Sequence, residues 1–153
     1  MIKILFICHG NICRSTMAEF VMKDLVVKAG LAQEIEVASA ATSRDEIGSD
    51  TYPDTKKILK QHQVPYTSRR ARQMTMADYQ AYDYIVAMDR ENLHGIQRII
   101  GEDVAHKVSL LLAFAGEPRG EVADPWYTRN FNITYDDVLR GCEGLLRALP
   151  IAK

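Results

Sequence analysis

The feature that most constrains this chain is its opening strand and the loop that follows it. Ile2 to Ile7 is a nearly continuous apolar run, rich in β-branched residues. An edge or half-exposed strand would alternate apolar and polar residues. An unbroken run of this length instead predicts a strand buried on both faces, as in a parallel sheet covered by helices on each side. Immediately after it comes Cys8-His9-Gly10-Asn11-Ile12-Cys13-Arg14-Ser15. Gly10-Asn11 ends the strand, and Ser15 or Thr16 is the expected cap of a helix carrying Ala18, Val21, Leu25 and Val26 to a stop at Ala29-Gly30.

The same alternation continues along the chain. A second strand is expected over 35–38, then a polar, turn-rich stretch from Ser43 to Asp54, with Pro53 opening a helix through Leu59. Thr75 to Asp78 reads as a capping box. Tyr84 to Met88 reads as a third buried strand, with a helix from Asp89 through Leu93, Ile96 and Ile100. Val108 to Leu112 is the last expected strand. A long connection from Gly116 to Asn132 follows, and connections of that length in a compact domain are usually functional. Thr134 to Asp137 is the expected cap of a final helix whose Val138, Cys142, Leu145 and Leu149 share one face. The fold class is therefore α/β: one open, mostly four-stranded parallel sheet with helices on both faces and a ligand loop after strand 1.

With 153 residues, the chain suits a single domain over 1–153. Nineteen Lys+Arg against twenty Asp+Glu leave a net charge of −1, so no overall field draws it to nucleic acid or anionic lipid. Three cysteines (Cys8, Cys13 and Cys142) are too few and too odd for a disulfide scaffold, and no run approaches a membrane span. A cytoplasmic monomer without membrane insertion, nucleic acid, metal or cofactor is the expectation. His62, His94 and His106 read as surface residues without ligand spacing.

In open α/β sheets ligands bind beyond the carboxyl ends of the strands, where this octet lies. Successive backbone N–H groups and a helix N-terminus make such a loop an anion cradle. Gly10 is expected to lend it conformational freedom, and Asn11 to tolerate a left-handed backbone. Arg14 offers a planar fork for two phosphate oxygens. A thiol in that positive cradle is favoured as the nucleophilic thiolate, which singles out Cys8. A Cys-x5-Arg spacing alone is weak in a chain with eleven arginines; its position at a strand–helix junction gives it weight. Cys142 sits on an apolar helix stripe and reads as core.

Cys-His-Gly-Asn-Ile-Cys-Arg-Ser resembles the phosphate loop of the low-molecular-weight protein tyrosine phosphatases. Ser39-Ala40, Ala71-Arg72-Gln73, the strand from Tyr84 to Asp89 and Asp124-Pro125-Trp126-Tyr127 resemble further landmarks of that family, in its order. The resemblance implies hydrolysis of protein phosphotyrosine through a phosphocysteine on Cys8, with Asp124 as general acid and then base. His9, Gly10, Asn11, Ile12, Cys13 and Ser15 would build the phosphate seat with Arg14. Asn11 would brace the loop against Ser15 and Ser39, and Ser15 would donate to the Cys8 thiolate. Trp126 and Tyr127 would wall the cleft. Cys13 would be a redox partner of Cys8. The substrates implied are phosphotyrosine proteins or peptides, with phosphate and vanadate as inhibitors.

Three departures from the pattern stand out. Thr16 replaces a usual proline. Asp45 falls where an aromatic cleft wall often stands, which removes a stacking surface and adds negative charge. Arg69 takes the place of a histidine that braces the loop in some relatives. Two rival activities on the same fold are weaker. Arsenate reduction needs a further close cysteine pair, and phosphoarginine hydrolysis is associated with Thr at the position of Ile12. A non-catalytic phosphopeptide-binding module would lack Cys8 or Asp124.

Overall fold

A computed structural model describes residues 1–151. Four strands form one all-parallel sheet: β1 (Ile2–Cys8), β2 (Ile35–Ala41), β3 (Tyr84–Ala87) and β4 (Val108–Leu110), in the order β2-β1-β3-β4. The helices are α1 (Arg14–Lys28), α2 (Pro53–Gln61), α3 (Met76–Ala81), α4 (Arg90–Ile100), α5 (Pro125–Thr128) and α6 (Phe131–Ala148). Among the described residues no helix is long and apolar enough to cross a membrane.

The expected double burial of β1 is present. Ile4, Leu5, Phe6 and Ile7 are all fully buried. Ile4 and Phe6 pack with α1, α2 and α6 residues such as Met17, Leu59 and Val138, while Leu5 and Ile7 pack with Tyr79 and Ile96 of α3 and α4. Each such side chain is worth roughly 1.5–3 kcal/mol of burial, so the strand that ends in Cys8 is among the most firmly held parts of the fold. The strand order reverses direction between β1 and β3. A crevice opens at that switch point beyond the strand ends, where Cys8 and Met88-Asp89 emerge.

Several local expectations are corrected. β2 runs three residues further than 35–38 and carries Ser39 to the site. Leu111 and Leu112 leave the β4 line and enter a 3-10 turn (Leu111–Ala115), closed by Gly116 in the left-handed region. The cap of α6 is Asn130, whose Oδ1 accepts from the N–H groups of Asn132 and Ile133, not Thr134. Thr134 and Asp137 serve another purpose: Thr134 Oγ1 donates to Ala123 O at 2.8 Å, and Asp137 Oδ2 accepts from Ala123 N at 2.9 Å. Together they pin the residue before Asp124 to α6. The predicted boxes at Thr75/Asp78 and the start at Asp89 are as expected.

Candidate active site

The loop after Cys8 is built by the abrupt passage from β1 to α1. Its cap is Cys13, with no side chain bonded to the first-turn amides and no acidic residue in that turn. The expectation of a Ser15 or Thr16 cap fails because both hydroxyls are engaged elsewhere. Thr16 Oγ1 donates to Ile12 O and Cys13 O, while Ser15 Oγ lies 3.0 Å from Cys8 Sγ. The loop's left-handed residue is Asn11, at φ 60°. Gly10 is not left-handed, and a Cβ there would only touch Glu46 Cγ at 3.4 Å, so its freedom is not what bends the chain.

Asn11 is fully buried and orders the surroundings of Cys8. Its N–H donates to Cys8 Sγ at 3.3 Å. Its amide Nδ2 donates to Ser15 Oγ at 2.8 Å and to Ser39 Oγ at 2.9 Å. A hydroxyl has one proton; with Ser15 already accepting from Asn11, that proton is free to point at the sulfur. Ser39 in turn donates to Glu19 Oε1 at 2.5 Å, and Glu19 pairs with Lys23. On its other side, Asn11 Oδ1 accepts from Arg72 N and from the Arg69 guanidinium, which also donates to Asn11 O at 2.7 Å. Asp50 Oδ1 accepts from Arg69 N at 3.2 Å. Arg69 is thus a site-building residue whose contacts sequence reasoning did not foresee.

Arg14 is buried beside this cradle. Its guanidinium lies 2.8 Å from Asp89 Oδ2 and 3.6 Å from Asp124 Oδ2, and donates to Val122 O at 3.1 Å. Burial works against its charge, but Cys8, Asp89 and Asp124 together outweigh that and raise its pKa. Asp89 was legible only as a helix cap; its second carboxylate contact, with Arg14, has no local signature. Asp124 caps α5 by accepting from Trp126 N at 3.0 Å, with Pro125 at the first helical position.

Cys8, His9, Gly10, Ile12, Cys13, Arg14, Asp45, Asp124, Trp126 and Tyr127 all line one cleft of about 810 Å³. Asn11 and Ser15 stand beneath it rather than in it. His94, read from the sequence as an ordinary surface residue, is exposed but borders the same cleft, as does Arg98. His62 is exposed but stacks on Tyr135, ring centres 3.8 Å apart. Trp126 both anchors and lines: its ring meets Tyr52 edge-on at 4.7 Å, yet it stays half exposed. Cys13 is buried, and that burial, with Cys8 nearby, pushes its thiol up to about 12. Cys142 is core.

Comparison with known proteins agrees with this geometry. The family model for low molecular weight phosphotyrosine protein phosphatase matches residues 3–152. The low molecular weight protein-tyrosine-phosphatase YfkJ of Bacillus subtilis is 37% identical over 154 residues, covering 100% of this chain and 99% of its own. The crystal structure of YfkJ superposes with a TM-score of 0.92 at 36% identity, covering 97% of this chain and 94% of that one. SP-PTP of Streptococcus pyogenes superposes at 0.87 with 37% identity (100% and 95% covered), and the Drosophila arginine phosphatase DARP at 0.85 with 30% identity (99% and 100% covered). A cysteine-bearing strand–loop–helix junction, a buried arginine and this similarity over nearly the whole length lead to one assignment: the chain belongs to the low-molecular-weight protein tyrosine phosphatase family.

Proposed function

We propose that the protein hydrolyses phosphotyrosine in proteins through a phosphocysteine. The observation that carries this reading is the convergence on Cys8: the Asn11 N–H and the Ser15 hydroxyl reach its sulfur, while Arg14 and Asp124 line the same cleft. The Cys8 thiolate attacks phosphorus, and the phosphorus–phenol oxygen bond breaks. Asp124, protonated, gives its proton to the departing phenolic oxygen, which would otherwise leave as a poor phenolate. Loop amides and the Arg14 fork hold the equatorial oxygens as charge spreads onto them. Asp124, now a carboxylate, takes a proton from the water that attacks the phosphocysteine. Inorganic phosphate departs and the Cys8 thiolate is restored, stabilised as a leaving group by the Ser15 proton.

The Asp89 contact supports the role given to Arg14. A carboxylate 2.8 Å away on a rigid helix cap fixes the guanidinium's plane, so little reorganisation remains when phosphate binds. Where peroxide oxidises the Cys8 thiolate to a sulfenic acid, Cys13, on the same cleft lining, is proposed to attack that sulfur, forming a Cys8–Cys13 disulfide with loss of water before further oxidation.

The test is a paired assay of the wild type and Cys8→Ser, without metal and with reductant. Substrates are p-nitrophenyl phosphate, a phosphotyrosine peptide and a phosphoarginine peptide. Cys8-dependent release of phosphate from the tyrosine peptide in preference to the arginine peptide is expected, with vanadate still bound by Cys8→Ser. Full turnover by Cys8→Ser would remove the nucleophile assignment. Preference for phosphoarginine would keep the mechanism and transfer the specificity to that of the Drosophila relative's name.

A further inference from the structure

Asp45 was expected to leave the cleft without one of its aromatic walls. The structure gives it a partner. Asp45 Oδ2 lies 2.8 Å from His9 Nε2, joining the Ser43–Ser49 segment to the residue that follows the nucleophile. The main chain is fastened at the same point: Ser43 N and Ser43 Oγ both donate to His9 O, at 3.1 and 2.9 Å, and Asp45 N donates back to Ser43 Oγ at 3.3 Å. His9 is therefore held by backbone and side chain at once, while about two-thirds of its side chain remains exposed at the cleft mouth.

An exposed pair of this kind contributes little to stability. Its consequence is orientation. An imidazole normally turns about its terminal torsion over a broad range, and a carboxylate on Nε2 narrows that range. The ring surface left over is flat and polarisable and lines the same cleft as Cys8, together with Trp126 and Tyr127 of the α5 segment and His94 of α4. We propose that His9, set in place by Asp45, supplies the ring wall that selects an aromatic leaving group, Asp45 acting through it as a positioning residue. This rests on the phosphotyrosine reading above and names the group within it that recognises the phenol. The charged and titratable neighbours of the pair at the mouth are Glu46, over Gly10, and Glu91, His94 and Arg98 of α4, with Arg14 and Asp124 further in.

The test compares KM and kcat for a phosphotyrosine peptide with those for β-glycerophosphate, an alkyl substrate without a ring. His9→Ala is expected to raise peptide KM about 3–10-fold, more than it lowers kcat, the worth of one ring contact. The loss on β-glycerophosphate, which has no ring to contact, should be clearly smaller than the loss on the peptide. His9→Phe, a ring without the hydrogen bond, should restore most of the peptide KM. Asp45→Asn should raise peptide KM about twofold in the wild type and not at all in His9→Ala, the signature of one residue acting through another. Equal losses on both substrates, or additive Asp45 and His9 effects, would overturn the proposal. Binding of the peptide to Cys8→Ser and to Cys8→Ser/His9→Ala separates the two levels of the argument. A weaker second complex supports the wall even if wild-type turnover fails, and equal affinities refute it even if turnover succeeds.

Discussion

Asn11 shows how much chemistry one residue's amide orientation decides. Its Nδ2 must face Ser15 and Ser39, or the Ser15 proton no longer has reason to point at Cys8. Arg69 enforces that orientation by donating to both carbonyl oxygens of Asn11. Burial pulls the Arg69 pKa down, with Glu19, Asp50 and Cys8 pulling the other way, and a guanidinium remains cationic through such shifts. Arg69→Met is expected to lower kcat/KM about tenfold, the worth of a charge-assisted bond. Arg69→Lys should recover only part, because an ammonium is a point donor without a fork. Full recovery by lysine would mean that charge alone matters. Asp124→Asn tests the proposed general acid: kcat for phosphotyrosine should fall about 10²–10⁴-fold. The loss should be smaller for p-nitrophenyl phosphate, whose leaving group needs less help. Cys8, Arg14 and Asn11 were legible because each residue type carries its own chemistry within one octet. Arg69 was singled out only as standing where some relatives carry a loop-bracing histidine; its bonds to Asn11 were not legible, since that partner lies 58 residues away and no periodicity links them. Asp89 was hidden differently: capping α4 already accounted for it locally.

α6 is the element that holds the Asp124 loop, and its own packing has a narrow tolerance. It lies against the 3-10 turn so closely that a Cβ on Gly144 would come within 2.1 Å of Phe114 O and 2.6 Å of Phe114 C. In an isolated helix, alanine would be better than glycine by roughly 0.5–1 kcal/mol. Here the obstacle is backbone, which cannot swing aside, so the packing term wins. Gly144→Ala should destabilise the protein by about 1–3 kcal/mol, read as a Tm lowered by several degrees in thermal unfolding. An unchanged or raised Tm would mean the turn can yield. The sequence reading found α6 from its apolar stripe but put its start near Thr134. Thr134-Tyr-Asp-Asp137 has the residue types of a cap, and nothing local tells a capping threonine from one that bonds a carbonyl eleven residues earlier. The box at Thr75 and the helix start at Asp89 were legible because the residues that settle them lie within three positions. Local interactions could be read; those set by docking could not.

The alternation of strand and helix carried the parallel sheet, but the order β2-β1-β3-β4 depends on contacts between segments far apart in the chain. That order puts the reactive loop at a crevice while sinking thiols into the molecule around it, which ties the whole fold's stability to pH. Burial, with Cys8 adding, pushes Cys13 from 9.0 up to about 12. Complete burial, with Glu143 adding, also raises Cys142. Both folded values lie above the unfolded ones, so the native protein keeps protons that the unfolded chain releases. The stability from this source is full below about pH 9 and is lost as pH rises from there toward 12, at up to about 1.4 kcal/mol per pH unit for each thiol. Urea unfolding between pH 8 and 10.5, with reductant present, should therefore show a steadily falling unfolding free energy. Other groups titrate in that window too, so the deciding quantity is a difference. Cys142→Ala will start less stable because it empties part of the core, yet its decline with pH should be shallower, by about one thiol's share of the slope. Parallel lines for wild type and variant would mean that the buried Cys142 thiol does not resist ionisation as its position in the core requires.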